Sequence, residues 1–152
     1  MSRPPIAYFI TFTTYGTWLR GDERGSVDKH VPGIMPPNPV VHRADEKRLK
    51  HPPIYFTEEQ RNIVEQTIRE VCQYRNWTLH RVNVRTNHVH LVVTAPDLPD
   101  KVMGDCKAYV TRNLRKTNQF SKEITIWTEN GSTRWINDNT HFEHVCEYVD
   151  HQ

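Results

Sequence analysis

The run from His88 to Val93 is the feature that most constrains the fold of this 152-residue chain. It is rich in valine and lies between turn-forming residues, a pattern typical of a β-strand. Because strand side chains alternate, His88 and His90 face one side of the sheet, about 6–7 Å apart. The side chains of Val89, Leu91 and Val93 lie on the opposite face, which we expect to pack on a hydrophobic core. Two such histidines can bind one metal ion, although two half-exposed histidines on a polar sheet face would give the same pattern.

A second pattern, about twenty residues further on, predicts a helix that extends to Lys116. Tyr109 and Asn113 are four residues apart in it and therefore share one helix face. Five basic and two acidic residues lie between positions 100 and 116, and such a local excess of positive charge can hold phosphate groups. The basic side chains nearest the pair are Lys107, Arg112, Arg115 and Lys116. A solvated helix face would explain the same charges.

The remaining periodic segments indicate an α+β fold with a ferredoxin-like antiparallel sheet and helices packed on it. The predicted strands are Ile6–Thr14, Trp77–Arg85, the histidine strand, and a last strand or small hairpin within 124–136. In the second predicted strand, strict alternation puts four side chains on one face: Leu79, Arg81, Asn83 and Arg85. Three helices are predicted. The first begins at a capping box formed by Thr57 and Gln60 and extends to about Arg75. The second is the Tyr109 helix, with Asp97 as its N-cap, and the third is a final helix capped by Asp138.

The segment from Gly21 to Pro53 shows no sustained hydrophobic period and is rich in proline. We expect a long Pro-rich loop after the first strand, inserted into a single domain over residues 1–152, with a short helix around Ala44–Lys50 as one option. Loops of this length are usually functional or mobile. The segment is therefore either a flap that contacts a ligand or a plain surface insertion.

Composition favours a protein of the cell interior. The three cysteines are far apart in the sequence, which argues against a disulfide framework and for a reducing compartment. No apolar run approaches the roughly 20 residues that cross a bilayer, and no signal-peptide core follows the N-terminus. A net charge of +2 does not by itself indicate nucleic acid. We expect a cytoplasmic protein without a membrane partner.

The His-Val-His strand followed by the helix with Tyr109 and Asn113 resembles the HUH single-tyrosine transposases, and among them the REP-associated tyrosine transposases. Two further matching pieces, Thr14–Asp22 and Gly131–Arg134, extend the resemblance over most of the chain. It implies that His88, His90 and Asn113 bind a divalent metal. Mixed nitrogen and oxygen ligands suit Mg²⁺ or Mn²⁺, although histidines alone would also accept zinc or nickel.

The resemblance also implies a reaction and a partner. Tyr109 would cut single-stranded hairpin DNA, leaving a 5′-phosphotyrosine and a free 3′-hydroxyl, in a bacterial, nucleoid-associated protein that acts as a monomer or homodimer. The residues expected to contact DNA are Lys107, Arg112, Arg115, Lys116, Tyr15, Trp18 and Arg20. Stacked aromatic side chains can bind unpaired bases, although packed aromatics are commoner.

Two other functions remain open from the sequence. One is a catalytically idle regulator that binds single-stranded DNA, and the other is a metal-dependent hydrolase without a covalent intermediate. A second histidine pair, His141 and His144 on the final helix, is interpreted as surface residues because no third ligand accompanies it. A trapped protein–DNA adduct would separate the three functions.

Overall fold

The computed structural model describes residues 4–19, 25–28 and 31–152. These residues form ten elements in chain order: β1 (Ala7–Thr13), β2 (Ser26–Asp28), β3 (Val31–Met35), α1 (Pro39–Arg48), α2 (Glu58–Arg75), β4 (Thr78–Val84), β5 (His88–Thr94), α3 (Pro99–Lys116), β6 (Ser132–Ile136) and α4 (Asn139–Asp150). None of the helices in the described ranges is both long enough and apolar enough to span a bilayer.

Four of the strands form one antiparallel sheet in the spatial order β4-β5-β1-β6. Without the β2–β3 hairpin, α1 and the final helix, the chain order is β-α-β-β-α-β. This order and this sheet arrangement are those of a ferredoxin-like fold. The predicted fold class is confirmed.

One face of the sheet carries the main hydrophobic core. The core-facing residues of β1 are Tyr8, Ile10 and Phe12, and those of β5 are Val89, Leu91 and Val93. Against them pack the apolar stripes of α2 and α3, which include Ile68, Val71, Val110 and Leu114. The capping box predicted at Thr57 and Gln60 is present at the start of α2.

The opposite face of the sheet is covered by α4 alone among the four helices. Val145, Cys146 and Val149 of α4 pack there against Ala7, Val92 and Ile136, and Asp138 caps the helix as predicted. The two crossover helices therefore share one face, and α4 occupies the other. Because β5 alternates, its histidines point toward the α4 side.

Four details differ from the sequence expectations. α3 has Leu98 as its N-cap, and the carboxylate of Asp97 instead accepts a hydrogen bond from Trp77 Nε1 at 3.1 Å. β4 contains an irregularity between Leu79 and Arg81, so Leu79 packs on the main core while Arg81 faces α4. Residues 124–127 form only a single bridge, between Trp127 and Thr14.

The fourth difference is the segment 21–53, which is not a continuous loop where it is described. It contains the β2–β3 hairpin and the helix α1. Asn38 caps α1 by accepting a bond from the backbone N–H of Val41, and Pro39 occupies the first turn. The optional short helix around Ala44–Lys50 is therefore present but begins earlier, at Pro39. None of the residues of α1 is buried, so no apolar stripe in the sequence marked its bounds.

Candidate functional site

His88 and His90 lie side by side on the face of the sheet that α4 covers. Their ring centroids are 4.7 Å apart. Nδ1 of His88 is 2.8 Å from Oδ1 of Asn87, and Nδ1 of His90 is 2.8 Å from Oγ1 of Thr11 on the neighbouring strand. With hydrogen on Nδ1, each ring carries its lone pair on Nε2, the arrangement that a metal ligand needs.

The last turn of α4 and the two residues after it bring a tyrosine and an amide to this pair. The ring of Tyr148 lies 5.8 Å from that of His90, centroid to centroid, and 6.1 Å from that of Phe9. The side chain of Gln152 hydrogen-bonds His90. Tyr148 lies in the last turn of α4, and Gln152 follows the end of that helix by two residues. Tyr148 is 50% exposed, and an outside molecule can reach it.

His90 is strongly biased toward its neutral form. Burial, followed by the positive charges of His88 and Arg85, lowers the pKa of His90 from 6.5 to about 4, while the Gln152 hydrogen bond acts in the opposite direction. His90 is 6% exposed, so the loss of hydration accounts for the largest share. A neutral imidazole at neutral pH is ready to donate its lone pair to a cation.

The chemistry of these side chains fits a divalent metal. In the described part of the chain, no group of three His, Cys, Asp or Glu side chains is arranged to hold an ion, so any third protein ligand would be of another type. The amide of Gln152, beside His90, supplies a carbonyl oxygen. Two imidazoles and one amide oxygen leave positions for water or phosphate oxygens.

Tyr109 and Asn113 do not join this site within the chain. Tyr109 packs against the main core on the other face of the sheet, with the guanidinium of Arg112 5.1 Å from its ring centroid. Nδ2 of Asn113 donates to Oγ1 of Thr67 in α2 at 2.9 Å. The sheet itself separates both residues from His88 and His90. The predicted single-chain grouping of Tyr109 and Asn113 with the histidines is therefore not formed.

The basic residues of α3 also lie away from the histidines, and two of them bind backbone carbonyls. Lys107 Nζ donates to the carbonyl oxygens of Thr128 and Asn130, and burial lowers its pKa. Arg115 donates to the carbonyl oxygen of Ile124. These two side chains fasten the segment that leads to β6. Arg112 and Lys116 are exposed.

The aromatic residues predicted to stack on bases have partners within the protein. Tyr15 packs against His51 with ring centroids 4.3 Å apart, and its hydroxyl accepts a bond from the backbone N–H of Lys50. Trp18 donates from Nε1 to the carbonyl oxygen of Gly25 and is 39% exposed. Arg20 lies outside the described residues.

Arg134 brings a positive charge to the histidine face. It pairs with Phe9 across β6 and β1, and Ser132 pairs with Thr11, which in turn pairs with His90. Directly paired residues of antiparallel strands point to the same face. Arg134 is exposed and lies two strands, about 10 Å, from the histidine strand.

Sequence reasoning missed Tyr148, Gln152 and Arg134 as site residues, although one signal was available. Both crossovers of a β-α-β-β-α-β fold have the same hand and place their helices on one face of the sheet. A helix after the last strand must then cover the opposite face, toward which His88 and His90 point. The topology, rather than any spacing, identifies α4 as the partner of the histidines.

Comparison with known proteins gives a family and a fold. The family described as "Transposase IS200 like" matches residues 48–152, whereas no curated protein matches the chain. A REP-associated tyrosine transposase bound to a REP hairpin has a TM-score of 0.55 and 13% identity, over 98% of this chain and 68% of that one. A Deinococcus radiodurans R1 protein assigned as a transposase has a TM-score of 0.51 and 11% identity, over 99% and 93%. At these identities the solved structures share the fold.

Proposed function

Since this chain belongs to the family of IS200-like transposases, we propose that it cuts and joins single-stranded DNA with Tyr148 as its covalent nucleophile. The observation that carries the proposal is the position of Tyr148 against His90, on the face of the sheet to which both histidines point. Tyr148 thus takes the role that the sequence suggested for Tyr109, which packs on the other face.

His88, His90 and the side-chain oxygen of Gln152 would hold one Mg²⁺ or Mn²⁺ ion. When bound, such an ion neutralises charge on the scissile phosphate as a Lewis acid. The contribution of the chain is to keep two imidazoles in fixed orientations through Asn87 and Thr11. Such outer hydrogen bonds fix both the tautomer and the direction of a metal-binding ring.

In the proposed step, the phenolic oxygen of Tyr148 forms a bond to the phosphorus of a DNA phosphodiester. The bond between that phosphorus and the 3′ oxygen breaks, and the proton lost by the phenol is balanced by one taken up by the freed 3′ oxygen. The 5′ phosphate stays attached to Tyr148. Because the phosphotyrosine is itself a phosphodiester, attack by another 3′-hydroxyl rejoins DNA without ATP.

The proposed substrate is single-stranded DNA that contains a hairpin. One of the similar structures is of a protein bound to a REP hairpin, and we extend that substrate class to this chain. Ser132 and Arg134 are exposed on the edge strand β6, and Tyr148 is exposed on the same side of the sheet, so the single strand would reach Tyr148 from this edge. Phosphates along such a path would contact Arg134.

Denaturing electrophoresis with labelled hairpin oligonucleotides from DNA flanking the gene tests the proposal. With Mn²⁺, the wild type should give a slow-migrating protein–DNA adduct, and Tyr148→Phe should abolish both adduct and cleavage. Since only a hydroxyl is removed, DNA binding should stay nearly unchanged. Tyr109→Phe is the matched control and should leave the adduct intact.

Each other result points to a different function. An adduct that is lost in Tyr109→Phe and kept in Tyr148→Phe returns the nucleophile to α3. Cleavage without an adduct favours the hydrolase that uses the histidine pair alone. Binding without cleavage under all metal conditions favours the idle regulator.

A further inference from the structure

Backbone carbonyls at the end of α4 and just beyond it accept hydrogen bonds from side chains of the edge strand β4 and of Arg85, which directly follows β4. Asn83 Nδ2 donates to the carbonyl oxygens of Val149 and Gln152, at 3.0 and 3.3 Å. The guanidinium of Arg85 donates to the carbonyl oxygen of Gln152 as well. Carbonyls at a helix C-terminus lack the regular donors of the helix interior. The carbonyl oxygen of Val149 accepts a long bond of 3.4 Å from the backbone N–H of Gln152, and Asn83 adds a shorter one.

The sequence of α4 explains why donors from outside the helix stabilise its C-terminal end. The last turn of α4 contains neither lysine nor arginine, although a cation at this end of a helix is stabilising. Arg85 and Arg81 of the β4 segment bring positive charge there instead, and Arg81 pairs with the carboxylate of Asp150 at 3.0 Å. Regular alternation from Asn83 places Arg81 on the α4 side, and the irregularity between Leu79 and Arg81 leaves Leu79 on the main core.

Asn83 and Arg85 are also the cross-strand neighbours of the histidines on the β4 side of β5. Asn83 pairs with His90 in the antiparallel register, and the backbone N–H of Arg85 donates to the carbonyl oxygen of His88 at 2.8 Å. Asn83 lies directly beside His90 and, from that position, donates its hydrogen bond to the carbonyl oxygen of Val149 in α4. It links the strand pair that carries the histidines to the helix that carries Tyr148 and is followed by Gln152.

From this arrangement we infer that Asn83 and Arg85 are positioning residues that set where Tyr148 and Gln152 stand against His90. The inference rests on the proposed role of Tyr148. Val149 directly follows Tyr148, and Gln152 is itself one of the held residues, so both groups are fixed by the same bonds. Small displacements of a reacting group reduce rate strongly; a shift of about 1 Å can cost about 100-fold.

The test compares Asn83→Ala and Arg85→Ala with Arg81→Ala as the matched control. Arg81 lies on the same strand and contacts the same helix, but its bond ends on the exposed side chain of Asp150. In single-turnover cleavage of a labelled hairpin oligonucleotide with Mn²⁺, the first two variants should be slower by about 10- to 100-fold. Their dissociation constants for the oligonucleotide should change by less than about threefold. Arg85→Lys keeps a charged donor and should recover most of the rate.

A second measurement needs neither metal nor DNA. In metal-free protein, hydrogen exchange of the amides of His151 and Gln152 should accelerate in Asn83→Ala, while the amides of α2 keep their wild-type protection. Equal cleavage losses in all three alanine variants would show that general docking of α4 matters and would overturn the inference. Wild-type rates in Asn83→Ala and Arg85→Ala would overturn it too.

The failure of the proposed function has a different signature. If wild-type protein gives no adduct that depends on Tyr148, the nucleophile assignment fails, whatever the β4 variants do. If the wild-type adduct forms and Asn83→Ala cleaves at the wild-type rate with unchanged exchange, only the positioning role fails.

Discussion

In the proposed metal site, the place of Gln152 distinguishes between the two helices that could supply a third ligand beside His88 and His90. Its side chain hydrogen-bonds His90, whereas the amide of Asn113 is bonded to Thr67 on the other face of the sheet. Both amides follow a tyrosine by four residues, so spacing alone cannot choose between them. The choice is made by which face of the sheet each helix covers.

Gln152→Ala should weaken Mn²⁺ binding by at least about tenfold, because the ion loses one of three protein ligands. Titration followed by the electron paramagnetic resonance of free Mn²⁺ measures the dissociation constant without DNA. Asn113→Ala is the matched control and should leave that constant unchanged. Weaker Mn²⁺ binding in Asn113→Ala together with unchanged binding in Gln152→Ala would assign the third ligand to α3.

At the scale of elements, the two faces of the sheet carry different basic residues. Arg134 of β6 shares a face with the histidines, while Arg112 is exposed on α3, which packs on the other face. Lys107 and Arg115 are engaged with backbone carbonyls. A single strand that reaches Tyr148 must therefore run along the face that displays Arg134.

Arg134→Ala should weaken binding of single-stranded hairpin DNA, and the logarithmic salt slope should become shallower by about 0.7 for the lost phosphate contact. Arg112→Ala, which removes an equal charge from the other face, should change neither quantity by more than the error of the measurement. Fluorescence anisotropy between about 50 and 200 mM salt gives both values. A larger effect from Arg112 would place the DNA on α3.

The elements that the sequence predicted well are those that bury a periodic stripe. The stripe of α2 and the alternation in β5 both face the core, and the capping residues of α2 and α4 act locally, through bonds three residues away. The helix α1 was expected only as an option around Ala44–Lys50, and its start at Pro39 was not predicted, because none of its residues is buried. The irregularity in β4 could not be predicted from the sequence either, because it depends on pairing with β5 and on contact with α4.

The candidate site was predicted in part for the same reason. The shared direction of His88 and His90 is a local property of one strand, and the structure confirms it. The partner helix is a property of the whole topology, because it requires knowing which helices lie on which face. Two tyrosines with an amide four residues later compete for that role, and no local pattern distinguishes Tyr109 from Tyr148.

At the scale of the whole molecule, the sheet is packed on both faces, and His90 lies in the layer between β5 and α4. Its neighbours there are Thr11, Phe9, Tyr148 and Gln152. Burial and the nearby positive charges lower the pKa of His90 to about 4. Protonation of this ring in the folded state would place a charge in a poorly hydrated layer, so acid should loosen the contact between the sheet and α4.

The free energy of unfolding of the metal-free protein should therefore decrease as pH is lowered from about 6.5 to about 4. In that window the unfolded chain binds a proton at His90 that the folded chain does not, so stability rises with pH. A pKa difference of this size corresponds to at most about 3 kcal/mol. Above pH 6.5 His90 is neutral in both states, and its contribution is constant.

Urea unfolding in EDTA, at a series of pH values and for wild type and His90→Gln, isolates this contribution. Other groups that titrate in the same window, including His80, whose pKa is also lowered by burial, are present in both proteins and cancel in the difference. The wild type should lose more stability than His90→Gln between pH 7 and pH 4.5. Parallel curves of unfolding free energy against pH for the two proteins would show that His90 is not held neutral by its surroundings. The packed layer between β5 and α4 would then be more hydrated than the structure indicates.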